Sequence, residues 1–150
     1  MSQNIRLAGM KDCPAVEAIV AAAYTPYIAR IGHKPGPMLD DYAALIRGQR
    51  VYALYNDGVV LGILVLIPET DAMLLDNVAV APGARGAGFG RSLLEFAERT
   101  ARGAGYRSIR LYTNEDMAEN IALYARIGYA ETHRAEEKGF RRVYMTKMLL

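Results

Sequence analysis

The stretch NVAVAPGARGAGFGRSLLEFAERT, Asn77 to Thr100, decides how this chain folds. It opens as an apolar, β-branched run that Pro82 stops, passes through a link of glycine and alanine, and closes as an amphipathic run. Leu93, Leu94, Ala97, Ala101 and Ala104 recur at helical spacing, which predicts a helix from about Gly88 to Ala104 with one apolar stripe. A glycine-rich turn that opens a helix exposes unpaired backbone N–H groups, and the helix dipole adds positive potential there. Such a place suits phosphate or pyrophosphate oxygens. Gly86, Gly88 and Gly90 leave the backbone bare where Cβ atoms would block an anion. Arg85 and Arg91 add charge-assisted contacts.

Two other phosphate-binding patterns do not fit. A P-loop ends in Gly-Lys-Ser/Thr, and this stretch has no lysine. A Rossmann fingerprint needs a third glycine where Arg91 stands, and expects its glycines after the first strand rather than the fourth. On composition alone, a glycine-rich turn with no ligand also stays open.

Working outward, NIRLAG (Asn4 to Gly9) alternates weakly and reads as a first strand. Asp12 is placed to cap a helix that begins near Pro14 and runs through Ile31, with Pro26 kinking or ending it. GHKPGPM, with its glycines and prolines, reads as loop; LDDYAALIRG reads as a short second helix ended by Gly48. In RVYALYNDGVVLGILVLIP two β-rich runs flank Asn56-Asp57-Gly58, which predicts a tight hairpin. AMLLDNVAVAP is the next strand, RSIRLYT another, and DMAENIALYARIG a helix stopping at Gly128. YAETHRAEE and FRRVYMTKML close the chain as a hairpin around Lys138-Gly139. The order β-αα-βββ-α-β-α-ββ is mixed α/β (α+β), with a β-α-β crossover in the middle.

The bulk numbers fit one compact unit. The chain has 150 residues, 52% apolar and 23% charged, with a formal net charge of +2. That charge is too small to imply a nucleic-acid surface, and no basic arm is present. The single cysteine, Cys13, excludes an internal disulfide framework and a clustered cysteine metal site, and reads as a small buried hydrophobe. The opening MSQNIRLAGMKDCP lacks the apolar core of a signal peptide, and VVLGILVLIP is about half the length of a membrane span, so a cytoplasmic setting without membrane contact is expected.

The spacing points to a family. VAVAPGARGAGFG resembles motif A of the GNAT superfamily of acetyl-CoA-dependent N-acetyltransferases: a strand, a proline-containing link, then Arg/Gln-x-x-Gly-x-Gly/Ala, here Arg85-Gly86-Ala87-Gly88-Phe89-Gly90. NIALYARIGYAE is similar to the family's helix with Leu-Tyr, three residues, then Gly-Phe/Tyr. The resemblance covers nearly the whole chain and implies one N-acetyltransferase domain over residues 1–150. Its core would be a GNAT-like, mostly antiparallel mixed sheet of about seven strands flanked by four helices.

It also implies roles. Backbone N–H groups of Arg85, Gly86, Ala87, Gly88, Phe89, Gly90 and Arg91 would hold the coenzyme pyrophosphate. The fourth strand would splay from the fifth at a bulge, with the backbone of Val78, Ala79 and Val80 beside the pantetheine arm and one N–H polarising the acetyl carbonyl. Tyr124 matches the family's tyrosine that protonates the leaving thiolate, a task suited to a phenol protonated at neutral pH. Asn120, four residues earlier on the same helix face, reads as a polar contact to the coenzyme, and Asn114 as a second. Core packing or capping is the plainer role for each of these side chains.

For the acceptor the residues say less. A base or a water chain must take the amine proton. Asp76 is the first choice, followed by Glu69 and Asp71, with His33 and His133 titrating in the useful range. Tyr24, Tyr27, His33, Asp40, Asp41 and Tyr42 cluster in sequence and suit a cationic amine by charge and cation–π contact, although solvated acids and packed tyrosines would look the same. Relatives that modify ribosomal-protein N-termini often carry Glu where Tyr112 stands and Asn where Met117 stands. The expectation is direct acetyl transfer from acetyl-CoA to a primary amine, small molecule or protein, without metal, by a monomer or homodimer. A non-catalytic acyl-CoA sensor, or transfer of another acyl group, is the alternative.

Overall fold

The computed structural model describes residues 3–149. Its elements are β1 (Gln3–Leu7), α1 (Cys13–Ile31), α2 (Tyr42–Arg47), β2 (Val51–Asn56), β3 (Val59–Pro68), β4 (Met73–Val80), α3 (Phe89–Gly103), β5 (Ser108–Asn114), α4 (Ala118–Arg126), β6 (Ala130–Glu137) and β7 (Phe140–Met148). The strands form one sheet in the order β1-β2-β3-β4-β5-β7-β6, with four α-helices, as the sequence order implied. All pairings are antiparallel except β4 with β5, which is parallel because α3 crosses over between them. Among the described residues no helix is long and apolar enough to cross a membrane.

Both sheet faces are covered, and the period-two rule explains the wholly apolar centre of β3. Ile63 and Val65 point to α1 and α2, where Val16, Ile19 and Val20 pack on them. Leu64 and Leu66 point to the other face, against Leu93, Leu94, Ala97 and Ala101 of α3. Of the predicted stripe only Ala104 stays exposed, because α3 ends at Gly103 and Ala104 caps it. Both hairpins turn as read: Asp57 and Gly58 have φ of 53° and 81°, and Lys138 and Gly139 have 54° and 81°, the left-handed pair a two-residue hairpin requires.

Three local expectations are corrected. Asp12 does not cap α1 with its side chain. A 3-10 turn over Met10–Asp12 has already brought its backbone to helical angles, and its carboxylate accepts from the Gly9 N–H (2.9 Å) and the Tyr55 hydroxyl (2.6 Å). Of the two outcomes open for Pro26, ending the helix is excluded: α1 continues to Ile31, the expected end, with Tyr27 and Ile31 packed on the core, and Gly32, at φ 94°, ends it. The segment read as loop contains a 3-10 turn over Gly36–Leu39, in which Met38 N donates to Pro35 O (3.0 Å). Prolines early in such a turn lose no internal hydrogen bond.

Helix α3 crowds the sheet at Gly62, where an added Cβ would lie 2.9 Å from Leu93 Cδ1 and 3.4 Å from the Ala79 carbonyl oxygen. Leu93 is fully buried and has little room to yield. Gly62→Ala is expected to cost about 1–3 kcal/mol, read as a lowered denaturation midpoint with an unchanged denaturant slope.

Candidate functional site

The site begins where the sheet fails to close. β4 pairs with β5 only at Met73↔Ile109 and Leu74↔Arg110, after which the strands part. On the other side of β4, Val65 pairs with Asn77 and Leu66 with Leu75, so Asp76 is the extra residue of a β-bulge. The bulge reverses which face each following side chain takes. Met73 and Leu75 lie with the α3 cluster, whereas Ala79 lies with the α1 cluster and Val78 and Val80 with α3.

Backbone directions follow from the same register. Ala81 N donates to Leu61 O (2.8 Å), so by antiparallel alternation Ala79 and Asn77 also bond to β3. The N–H and C=O of Val78 and Val80 therefore face the gap where β5 is missing. Unpaired backbone polar groups inside a sheet need a partner, and an extended amide-bearing ligand supplies one.

Past Val80 the chain makes a 3-10 turn at Pro82–Ala84 and enters α3 through Gly86 and Gly88, both at φ 84°. Nothing lies within 4 Å of an added Cβ at either glycine, so the left-handed backbone, not crowding by the protein, calls for glycine there. Gly88 is the N-cap of α3, no side chain caps it, and Ser92 N to Gly88 O (3.1 Å) is the first bond of the helix. The N–H groups of Phe89, Gly90 and Arg91 thus have no partner within the helix. Arg85, Gly86, Ala87 and Arg91 are exposed around them, while Phe89 packs into the α3 cluster.

Two cavities meet at the gap. The first, about 260 Å³, lies between the Pro35–Asp40 segment, the bulge, β5 and the tip of the β6–β7 hairpin. The second runs along Val78, Ala79 and Val80 to Arg85 and Gly90. Tyr24, Val78, Met117, Asn120 and Tyr124 line both, so the two open onto each other across β4 and α4. Tyr124 is 8% exposed, and burial, then the nearby Tyr27, pushes its hydroxyl up to about 12. It is a protonated donor at neutral pH. Its ring also meets Tyr129 edge-on at 5.8 Å.

The first cavity holds two carboxylates. Asp76 is pushed up by burial, partly offset by the Tyr112 hydroxyl donating to it at 3.3 Å and by the nearby Arg142 charge. Asp40 lies at the mouth with solvent on one side; even so burial, then the like charge of Asp76, raise it to about 6, against the pull of Arg142. Arg142 sits over the Tyr112 ring at 4.2 Å and pairs with Glu137 at 2.9 Å.

The structure separates the other acceptor-side candidates. Tyr27 lines only the second cavity. His33 stands behind the wall, its ring edge-on to Phe140 at 5.1 Å. Glu69 is held by Arg110 at 2.7 Å, and neither Glu69 nor Asp71 lines a cavity. Asp41 caps α2, accepting from Ala44 N at 3.0 Å, and His133 stacks on Tyr144 at 4.3 Å on the edge strand. Asn114 lines the first cavity but spends its side-chain oxygen on Asp116 N at 2.8 Å. Sequence reasoning missed Phe140, Lys138 and Arg142, because nothing local says that the last hairpin folds over the bulge. It also passed over Asn77, hidden within an apolar run.

The profile of the acetyltransferase (GNAT) family matches residues 16–129. The chain belongs to that family. This GNAT chain is 36% identical to mouse N-alpha-acetyltransferase 80 over 64 residues, 43% of its own length, and it spans about a fifth of the length of the curated relatives it matches. Its fold is that of the Escherichia coli ribosomal-protein-S18-alanine N-acetyltransferase, with a TM-score of 0.78 and 22% identity over 99% of this chain and 94% of that one. It is equally that of the PaiA N-acetyltransferase of Thermoplasma acidophilum, solved with coenzyme A, with a TM-score of 0.75 and 16% identity over 99% of each chain.

The carboxylate pair has a measurable consequence. Removing the Asp76 charge with Asp76→Asn lowers the Asp40 titration from about 6 toward the ordinary carboxylate range, as read by side-chain carbon NMR. Because Asp40 is raised on folding, its ionised form opposes the fold above about pH 6, and that cost disappears as pH falls toward the unfolded value.

Proposed function

We propose that this GNAT chain transfers the acetyl group of acetyl-CoA directly to a primary amine while both are bound. One observation carries the reading: the backbone of Val78 and Val80, left without a strand partner, lies between an open glycine turn and a cavity with two carboxylates, and both spaces share Tyr124. The residues present fit the coenzyme. The free N–H groups at the head of α3, Phe89 to Arg91, with those of the glycine turn at Gly86 to Gly88, are the anion cradle; the Arg85 N–H is spent on the Pro82 carbonyl, and the side chains of Arg85 and Arg91 stand at its rim. The gap-facing groups of Val78 and Val80 pair with the amides of an extended arm, and Asn120 adds a polar contact beside it.

In the reaction the amine nitrogen bonds to the acetyl carbon, and the carbon–sulfur bond breaks. A β4 N–H donates to the carbonyl oxygen as negative charge develops there. Asp76 accepts the amine proton; a carboxylate raised by burial suits that task better than an ordinary one. Tyr124 donates its proton to the departing thiolate. Asp40 at the mouth attracts a cationic amine, and Tyr24 lines the space where it meets the donor. No step calls for a metal. We read the described chain as one such domain working in the cytoplasm, as a monomer or homodimer.

Free-thiol release from acetyl-CoA should be followed against putrescine, phenylethylamine, glycinamide and an alanine-led peptide. Release with at least one amine is expected. Tight acetyl-CoA binding with no release for any of them would favour an acyl-CoA sensor, and faster release from propionyl-CoA or succinyl-CoA would change the donor. Tyr124→Phe should lower kcat about 10- to 100-fold with acetyl-CoA affinity little changed, as loss of a proton donor used in the transition state does. Gly88→Val should abolish coenzyme binding by strain and by filling the open space, with the far-UV spectrum retained. Unchanged affinity in that variant would sink the cradle.

A further inference from the structure

Asn77 is 3% exposed, in the middle of an apolar strand, and the Asp76 bulge turns it toward α1 and α2. Its Oδ1 accepts from the Tyr24 hydroxyl at 2.5 Å, and its Nδ2 donates to the Tyr42 hydroxyl oxygen at 3.0 Å. The Tyr42 hydroxyl donates in turn to the carbonyl oxygen of Pro37 at 2.5 Å. The Tyr24 hydroxyl also lies 3.3 Å from the carbonyl oxygen of Val78. One chain of hydrogen bonds therefore joins the gap edge of β4 to the Gly36–Leu39 turn. Asn77 and Val78 line one wall of the first cavity, and Pro37, Leu39 and Asp40 line the facing one.

We propose that Asn77 is a positioning residue that ties the acceptor-side segment Gly36–Asp40 to the donor strand through Tyr42, and so sets where the acceptor amine meets the Val78 backbone. This rests on the acetyl-transfer reading for its kinetic consequence, though not for the tie itself. The direction of the bonds is what demands asparagine. Tyr42 has one proton and gives it to Pro37, so its oxygen must accept, and only the amide nitrogen supplies that donor. A carboxylate at the same place presents acceptors to both tyrosines. It draws the Tyr42 proton to itself and leaves the Pro37 carbonyl without a donor. An apolar side chain of similar size removes the close acceptor of the Tyr24 hydroxyl and the donor to the Tyr42 oxygen, and with them the link between the two walls. Burial raises both phenols, so each stays a protonated donor across the working range. The sequence grouped Tyr24 and Tyr42 as acceptor contacts; their hydroxyls are instead committed to this chain.

Two variants test the tie. Tyr42→Phe removes the donor to Pro37 and folds as a conservative change; Asn77→Asp keeps the volume and reverses one hydrogen bond. In each, amide exchange across residues 36–40 of the free protein should accelerate about fivefold, the worth of one hydrogen bond, while exchange in β3 and β5 holds. With the panel amine of highest turnover, the KM for that amine should rise about fivefold while the KM for acetyl-CoA stays within about twofold. The double variant should be no worse than Tyr42→Phe, because both changes break the same link. Unchanged exchange at 36–40 in both variants overturns the tie. Faster exchange there with an unchanged amine KM overturns the positioning role. If the parent chain turns over no amine, the acetyl-transfer reading has failed, and the exchange result still decides the tie.

Discussion

The bulge at Asp76 is the constraint on which the site depends. One extra residue in β4 does three things at once. It accompanies the parting of β4 from β5, so that the N–H and C=O groups of Val78 and Val80 have no strand partner inside an otherwise continuous sheet. It reverses the facing of every later side chain, which sends Asn77 to the α1 side and leaves Val78 and Val80 on the α3 side. It also lifts one carboxylate out of the regular ladder and into the acceptor cavity, where burial raises its pKa.

The rest of the molecule keeps that opening from collapsing. A gap in a sheet exposes apolar and polar surface alike, and a chain of this size gains by closing it. Here α1 and α3 hold β3, the strand paired along β4, from both faces, with Ile63 and Val65 locked on one side and Leu64 against Leu93 on the other, all fully buried. Beyond the gap, β7 pairs with the whole of β5 from Ser108 to Asn114, so β5 cannot swing back to follow β4. The same pairing carries the hairpin tip, with Lys138, Phe140 and Arg142, over the acceptor cavity. The wall and the gap are thus products of one strand order.

Much of this was legible along the chain. The Asn56-Asp57-Gly58 and Lys138-Gly139 turns, the α3 stripe and the glycine turn are local patterns, and local sterics fix them: glycine for left-handed φ, period 3.6 for a helix, proline for an end. The errors were local patterns overruled by packing. Asp12 looked like a cap until Tyr55, 43 residues away, took its carboxylate. Pro26 left a kink or an end open, and core contacts of Tyr27 and Ile31 carry the helix past it. Glu69 looked available until Arg110 paired with it.

By itself the sequence determined the element order, the apolar faces and the glycine turn at the head of α3, because each follows from backbone sterics and side-chain period within a few residues. Through the two motifs it also pointed to an acetyl donor. Only the tertiary structure decided which carboxylates share a cavity, which tyrosines are committed to the chain's own hydrogen bonds, and that Asn77 joins two walls of one site. Those facts depend on strand register and on contacts between residues 35 to 53 positions apart, and a one-residue bulge that changes them all leaves no signature in composition or period.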